Sequence, residues 1–87
     1  MDFEWDDDKA EANWRKHRVS FEEATCVFDD PMVFERDDPE RSEQRFNAIG
    51  LVAGRHLFVV YTLRGDACRI VSARGAKPHE KRQYHEV

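Results

Sequence analysis

The chain has little with which to staple or anchor itself. Of its 87 residues only two are cysteine, Cys26 and Cys68, so no disulfide framework can hold it together. The cysteines lack the Cys-x-x-Cys spacing of a zinc or redox site, and no two of the four histidines stand at i and i+4. Asp6-Asp7-Asp8 has neither the alternation nor the glycine of a calcium loop. Gly65 and Gly75 stand alone, so there is no phosphate loop, and Ser72 has no Gly-x-Ser-x-Gly elbow around it. No metal and no cofactor is expected. Three prolines and four glycines are too few for low complexity or long linkers. The longest apolar run, Leu57–Tyr61, falls far short of the roughly 18–20 residues of a membrane span. The opening Met1-Asp2-Phe3-Glu4 is acidic and lacks the basic-then-apolar pattern of a signal peptide. The expectation is one domain over residues 1–87, in the cytoplasm, with no membrane partner.

What the chain does have is charge, unevenly placed. Charged residues make up 37% of it, against about 25% in an ordinary globular domain. The net charge of −4 divides into −9 over residues 1–44 and +5 over residues 45–87. Such asymmetry fits a basic face for an anionic partner, and equally fits two halves that neutralise each other across the fold. Asp37, Asp38, Glu40 and Glu43 form an acidic stretch suited to a basic protein segment.

The order of polar and apolar residues predicts an α+β fold. Phe3 and Trp5 alternate on a short strand. Asp6 caps a helix over Asp7–His17, with Asp7 and Asp8 in its first turn and Arg15, Lys16 and His17 in its last, complementing the helix dipole. Ala10 and Trp14 are its expected inward residues. Ser20-Phe21-Glu22-Glu23 is a capping box. Phe21, Ala24, Thr25 and Phe28 make one apolar stripe ending at Asp30-Pro31. The short link Arg18-Val19 makes the two helices a hairpin.

Strands are then expected at Met32–Glu35, Glu43–Val52, Leu57–Leu63 and Ala67–Arg74. Turns are expected at 37–40, Ala53-Gly54 and Gly65-Asp66, with a bulge at Gly50. Pro78 opens a polar last helix through about Glu86, with Tyr84 its one large apolar side chain. The expected architecture is an N-terminal helical hairpin packed on an antiparallel β-sheet of sequential hairpins, with a polar C-terminal helix.

The basic half holds the candidate chemistry. Arg64, Arg69, Arg74, Lys77, Lys81 and Arg82 fall within nineteen positions, interleaved with His79, Tyr84 and His85. Strict strand alternation puts Cys68, Ile70, Ser72 and Arg74 on one face and Arg69 on the other. Helical spacing puts Lys77, Glu80, Lys81 and Tyr84 together. Arginine holds phosphate through bidentate, permanently charged hydrogen bonds, and aromatic rings stack unpaired bases. Metal-free RNA scission needs a base for the 2′-hydroxyl, cations for the charge on the phosphorane-like transition state, and an acid for the leaving 5′-oxygen. Glu80 or His79 suits the first role, Arg74 and Arg64 the second, and Tyr84 or a histidine the third. Arg69, Lys77, His79, Lys81 and Arg82 would hold the RNA. The plainer reading stays open beside it: a solvated helix following a sheet, docked by Tyr84, with Glu80 paired to Lys81 or Arg82.

Several stretches, taken in order, are similar to one known family. They are Phe3-Glu4-Trp5-Asp6, Lys9-Ala10-Glu11-Ala12-Asn13, Lys16-His17 leading to Val19-Ser20-Phe21-Glu22-Glu23-Ala24, and Val27-Phe28-Asp29-Asp30-Pro31. Arg45-Phe46-Asn47-Ala48-Ile49-Gly50 and Arg69-Ile70-Val71-Ser72-Ala73-Arg74 with the helix ending near Tyr84-His85-Glu86 complete the set. The chain resembles the BrnT toxins of bacterial type II toxin-antitoxin systems, within the RelE-like ribonucleases. The resemblance implies a RelE-like fold, endonucleolytic RNA cleavage, inhibition of translation, and neutralisation by an antitoxin with a ribbon-helix-helix domain. Operator DNA would be bound only through that complex. By the same likeness Arg74, Glu80 and Tyr84 match the region where related toxins keep catalytic groups, and Arg64 the basic residue after the long strand. Two departures stand out: Arg18 occupies a position usually held by glycine, and the last helix has fewer arginines. A catalytically inactive module of the same fold, acting through its protein partner in operon autoregulation, is the alternative. A DNA-binding regulator whose basic strip touches phosphates is a third.

Overall fold

The computed structural model describes residues 1–38 and 44–86. Its elements run β1 (Asp2–Glu4), α1 (Asp7–His17), α2 (Phe21–Thr25), a 3-10 turn (Cys26–Asp29), β2 (Phe34–Asp37), β3 (Phe46–Val52), β4 (Arg55–Arg64), β5 (Ala67–Gly75) and α3 (Pro78–His85). The α+β class follows directly. No described helix is long and apolar enough to cross a membrane.

The helix starts follow from their caps. Asp6 accepts from the Lys9 amide at 3.0 Å. The Ser20–Glu23 box closes in both directions, at 3.1 and 3.0 Å. Between these helices Arg18 takes the left-handed conformation (φ 56°) and its amide donates to the Trp14 carbonyl at 2.9 Å. A Cβ in that region is strained, which is why glycine is the usual residue. The Arg18 guanidinium lies over the Trp14 ring, 5.5 Å from its centroid.

The sheet order is β1-β5-β4-β3-β2. Strands β2 to β5 form the expected antiparallel meander, turning at Ala53-Gly54 and Gly65-Asp66. Strand β1 is the correction: it pairs parallel to β5, Asp2 opposite Ala67 and Glu4 opposite Arg69. The sheet is therefore mixed. Parallel pairing has no hairpin turn to announce it and here joins strands some sixty-five positions apart.

Two faces divide the sheet. On one, Val19, Phe21, Ala24 and Val27 from the helical hairpin and its 3-10 turn pack against Leu57, Val59, Tyr61, Cys68, Ile70 and Ala73. On the other, Tyr84 of α3 packs against Ile49 and Phe58, with Phe34 and Val60 beside them. Phe3 and Trp5 both join the larger core, as their alternation requires.

Four local expectations are corrected or extended. Trp14 is 44% exposed, and Asn13 takes its inward place; the buried line runs through Ala10 and Asn13, and Trp14 sits beneath Arg18. The apolar stripe of α2 takes in Val27, fully buried, as well as the expected Phe28, half-buried against the same core, because the helix tightens to 3-10 geometry after Thr25. Gly50 pairs regularly with Leu57 and is no bulge. Its lack of a side chain serves close packing, since a Cβ there would come within 2.8 Å of the Val27 Cβ. The irregularity lies in β5 instead. Val60 pairs with Ser72 but Tyr61 pairs with Ile70, which leaves Val71 as an extra residue. Cys68 and Ile70 thus face the helical hairpin, whereas Ser72 and Arg74, opposite Val60 and Phe58, face α3. The turn expected at 37–40 and the strand start at Glu43 fall partly outside the described residues, as do Glu40 and Glu43 of the acidic stretch.

Next to the bulge, Asn13 clamps β5. Its side-chain NH2 donates to the carbonyls of Ala73 (2.8 Å) and Val19 (2.9 Å), and its Oδ1 accepts from the Ala73 amide at 3.1 Å. These bonds fill the edge of β5 beyond the three residues that β1 covers. Replacing Asn13 by Ala strands three buried backbone groups and should lower the unfolding free energy by about 3 kcal/mol. Arg18→Gly relieves the left-handed strain at the loss of one exposed cation–π contact and should raise it by about 0.5–1 kcal/mol. Urea unfolding of both variants checks the two signs.

Candidate active site

On the α3 side of the sheet a cleft of about 290 Å³ is lined by Arg36, Asp38, Asn47, Phe58, Val60, Arg74, Lys77, His79 and Glu80. Five elements build it. Arg36 comes from β2, Asn47 from β3, Phe58 and Val60 from β4, and Arg74 from β5 just past the bulge. Lys77, His79 and Glu80 come from the start of α3.

Its centre is the Arg74–Glu80 pair. The two guanidinium NH2 groups of Arg74 donate to Glu80 Oε1 and Oε2 at 2.8 and 2.9 Å. The guanidinium lies over the Phe58 ring at 4.3 Å and donates also to the Gly75 carbonyl at 3.2 Å. Glu80 is only 4% exposed, and its Oε1 accepts from the Lys77 amide at 2.8 Å. One carboxylate therefore starts α3 and fixes the arginine beneath it. Burial pushes the Glu80 carboxyl up, but the bonds from Arg74 and the Lys77 amide, with the Arg74 charge, outweigh it and hold it below the usual carboxylate range. His79 stands at the rim, its Nε2 3.9 Å from Glu80 Oε2. Chemically the cleft offers three cationic side chains, an exposed imidazole and an apolar floor. Two polar atoms of its lining, Arg36 Nε and Asn47 Oδ1, are buried without a hydrogen-bond partner.

The expected site residues separate into four groups. Arg74, Lys77, His79 and Glu80 meet at the cleft. Arg64 and Arg69 meet instead at the other end of β5, where Glu4 lies 3.6 Å from the first and 2.7 Å from the second. Lys81 and Arg82 are exposed on α3. Tyr84 forms a different cluster: its hydroxyl donates to Asp30 Oδ2 at 2.6 Å, and its ring meets His56 and His85 edge-on. The Nε2 atoms of His56 and His85 lie 3.0 Å apart, so one donates and the other accepts. Burial, then the neighbouring His85 and Lys81 charges, push the His56 imidazole down despite Asp30. The bond to Asp30 pushes the Tyr84 phenol up, as does burial. Among the described residues no group of three His, Cys, Asp or Glu is placed to hold a metal ion.

Arg36, Asp38, Asn47 and Phe58 were not among the candidates. Asn47 had a signal, a polar residue inside the apolar strand Phe46–Val52. Arg36, on an edge strand in the acidic half, had none.

A family profile described as the ribonuclease toxin, BrnT, of type II toxin-antitoxin systems matches residues 5–80. The chain belongs to this family. Membership makes it a toxin-antitoxin ribonuclease toxin with an antitoxin as partner. The matched span takes in the two helices, the whole meander and the start of α3, and so every residue lining the cleft. No curated protein matches the chain.

Asp30 ties α3 to the sheet. Besides the Tyr84 hydroxyl it accepts from the Leu51 and Met32 amides, both at 2.8 Å. The Tyr84 and Leu51 bonds hold its carboxyl below the usual range, against a smaller opposing effect of burial. A depressed folded pKa contributes stability that is present above the unfolded value, about 3.9, and is lost as pH falls through the folded one. With solvent screening of this partly exposed carboxylate, Asp30→Asn should lower stability by about 1 kcal/mol at pH 7 and flatten the loss of stability in acid. Urea midpoints between pH 2 and pH 7, compared for the two proteins, give the measurement.

Proposed function

We propose that the cleft is the active site of an endoribonuclease that cuts single-stranded RNA without a metal ion. The observation that carries this is Arg74, fixed by Glu80 over Phe58 and flanked by Lys77, His79 and Arg36 around one cleft. Both Glu80 oxygens are engaged by Arg74 and one also by the Lys77 amide, so Glu80 acts as a positioning residue. Arg74 keeps N–H groups free of Glu80 for a phosphate.

In this reading His79 takes the proton of the 2′-hydroxyl, imidazole being the side chain suited to proton exchange near neutral pH. The 2′-oxygen bonds to phosphorus and the P–O5′ bond breaks, leaving a cyclic phosphate. Arg74 meets the charge that grows on the non-bridging oxygens, as a preorganised cation in a partly dry site. The Lys77 ammonium, at the same rim, gives the leaving 5′-oxygen its proton. Arg64, Arg69, Lys81 and Arg82 extend the positive field along the RNA, and Tyr84 keeps α3 in place.

Cleavage of this kind in the cytoplasm inhibits translation and arrests growth. Neutralisation falls to an antitoxin with a ribbon-helix-helix domain, and operator DNA is bound through that complex. These expectations rest on the family resemblance.

Arg74→Ala should lower kcat on single-stranded RNA by about 10²–10³-fold. His79→Ala should lower it by about 10²-fold or more. Cleavage by the wild-type protein should persist in a metal chelator. Assays of purified protein, with growth curves on induction, test all three. A folded wild-type protein that cuts no RNA would leave the non-enzymatic binding module as the reading.

A further inference from the structure

We infer that Arg36 and Asn47 form a base-reading subsite, which takes the hydrogen-bonding edge of one unpaired nucleobase. The inference deepens the ribonuclease reading and rests on it for the class of ligand. Arg36 and Asn47 are cross-strand partners in the β2–β3 ladder. They share the sheet face of Ile49, Phe58 and Val60, and both line the cleft. Asn47 is 4% exposed and its Oδ1 has no partner; Arg36 Nε is likewise buried and unpartnered.

Folded proteins keep few such groups, because a buried donor or acceptor left unmade is costly. Here an orphan donor and an orphan acceptor sit opposite each other on one cleft wall, where an apolar pair would satisfy the fold better. A nucleobase edge carries an acceptor beside a donor. It accepts from Arg36 Nε–H and donates to Asn47 Oδ1, so that both groups are satisfied only when the base is bound.

The layout gives room for the rest of the nucleotide. At a strand spacing of about 4.8 Å, β3 and β2 lie roughly 10 and 14 Å across the sheet from β5. A phosphate held by Arg74 and Lys77 thus leaves its base over Val60, toward Asn47 and Arg36. The cleft, about 290 Å³, is at the small end for a ligand site and admits one nucleotide, not a duplex. A paired base has its Watson–Crick edge engaged, so the subsite selects single strands.

The test uses Asn47→Leu and Arg36→Gln. Because Asn47 Oδ1 is unpartnered, Asn47→Leu should melt no lower than the wild-type protein. On oligonucleotides that vary each base beside the scissile bond, the wild-type protein should prefer one or two bases. Asn47→Leu should cut the ratio of kcat/KM on the preferred base to that on the others about tenfold, and Arg36→Gln should cut the same ratio about tenfold on top of the uniform loss expected from removing a cleft cation. Binding is followed separately by NMR titration with the four nucleoside 3′-monophosphates, one of which should shift the Asn47 side-chain amide more than the rest. A base preference unchanged in both folded variants overturns the subsite while the ribonuclease reading stands. Selective amide shifts in a protein that cuts no RNA support the subsite and overturn the ribonuclease reading. No amide shift with any nucleotide overturns the subsite whatever the activity.

Discussion

The structure depends on how β5 is held. At Val71 the strand takes in one residue more than its partner, and two residues later the Asn13 side chain grips both polar groups of Ala73. The bulge alone would be a weak point at an edge that β1 covers for only three residues. The amide of Asn13 stands in for the missing neighbour strand and bonds to the Val19 carbonyl as well, so helix, link and strand move as one. Everything after Ala73 inherits its direction from this junction. Arg74 leaves the sheet toward α3 because the extra residue reverses the alternation; without it the guanidinium would enter the apolar core beneath the helical hairpin, where a charge without a partner is costly.

From that reversal comes a division between the two sheet faces. The face under the helical hairpin is closed and apolar, with aromatic contacts such as Phe28 edge-on to Tyr61 at 5.1 Å. The opposite face is only partly covered, because α3 has eight residues and its single large apolar anchor is Tyr84. The uncovered part is the cleft. Its central pair, Arg74 and Glu80, is held by hydrogen bonds and by the Phe58 ring beneath the guanidinium, and Glu80 joins two tasks: starting a helix and orienting an arginine.

Much of the fold was legible in the residues because its signals are local. Helix caps at Asp6 and Ser20, the turns at Ala53-Gly54 and Gly65-Asp66, and the apolar run of β4 each announce themselves within a few positions. What escaped was nonlocal. The parallel pairing of β1 depends on residues sixty-five positions away, Asp2 with Ala67, and no turn marks it. The bulge at Val71 has no composition signal, since Ile70-Val71 reads as uninterrupted strand; strict alternation therefore put Arg74 on the wrong face. The site was half visible. Arg74, Lys77, His79 and Glu80 lie within seven positions, and charge patterning finds them. Arg36 and Asn47 reach the cleft only through the β2–β3 ladder, and Arg64 and Arg69, close in sequence, end up at another corner with Glu4.

The pairing of β1 with β5 also sets an order of assembly. The meander from β2 to β5 closes through short turns and can form early, whereas β1 must find its register across most of the chain, a slower search with a larger loop-closure entropy. Its three residues and the Glu4–Arg69 ion pair give it modest means to hold on. During synthesis, β1 thus waits for β5, and α3 with the cleft's charged rim follows β5. The cleft, whose lining runs from Arg36 to Glu80, therefore takes shape only once β5 and the start of α3 have been made.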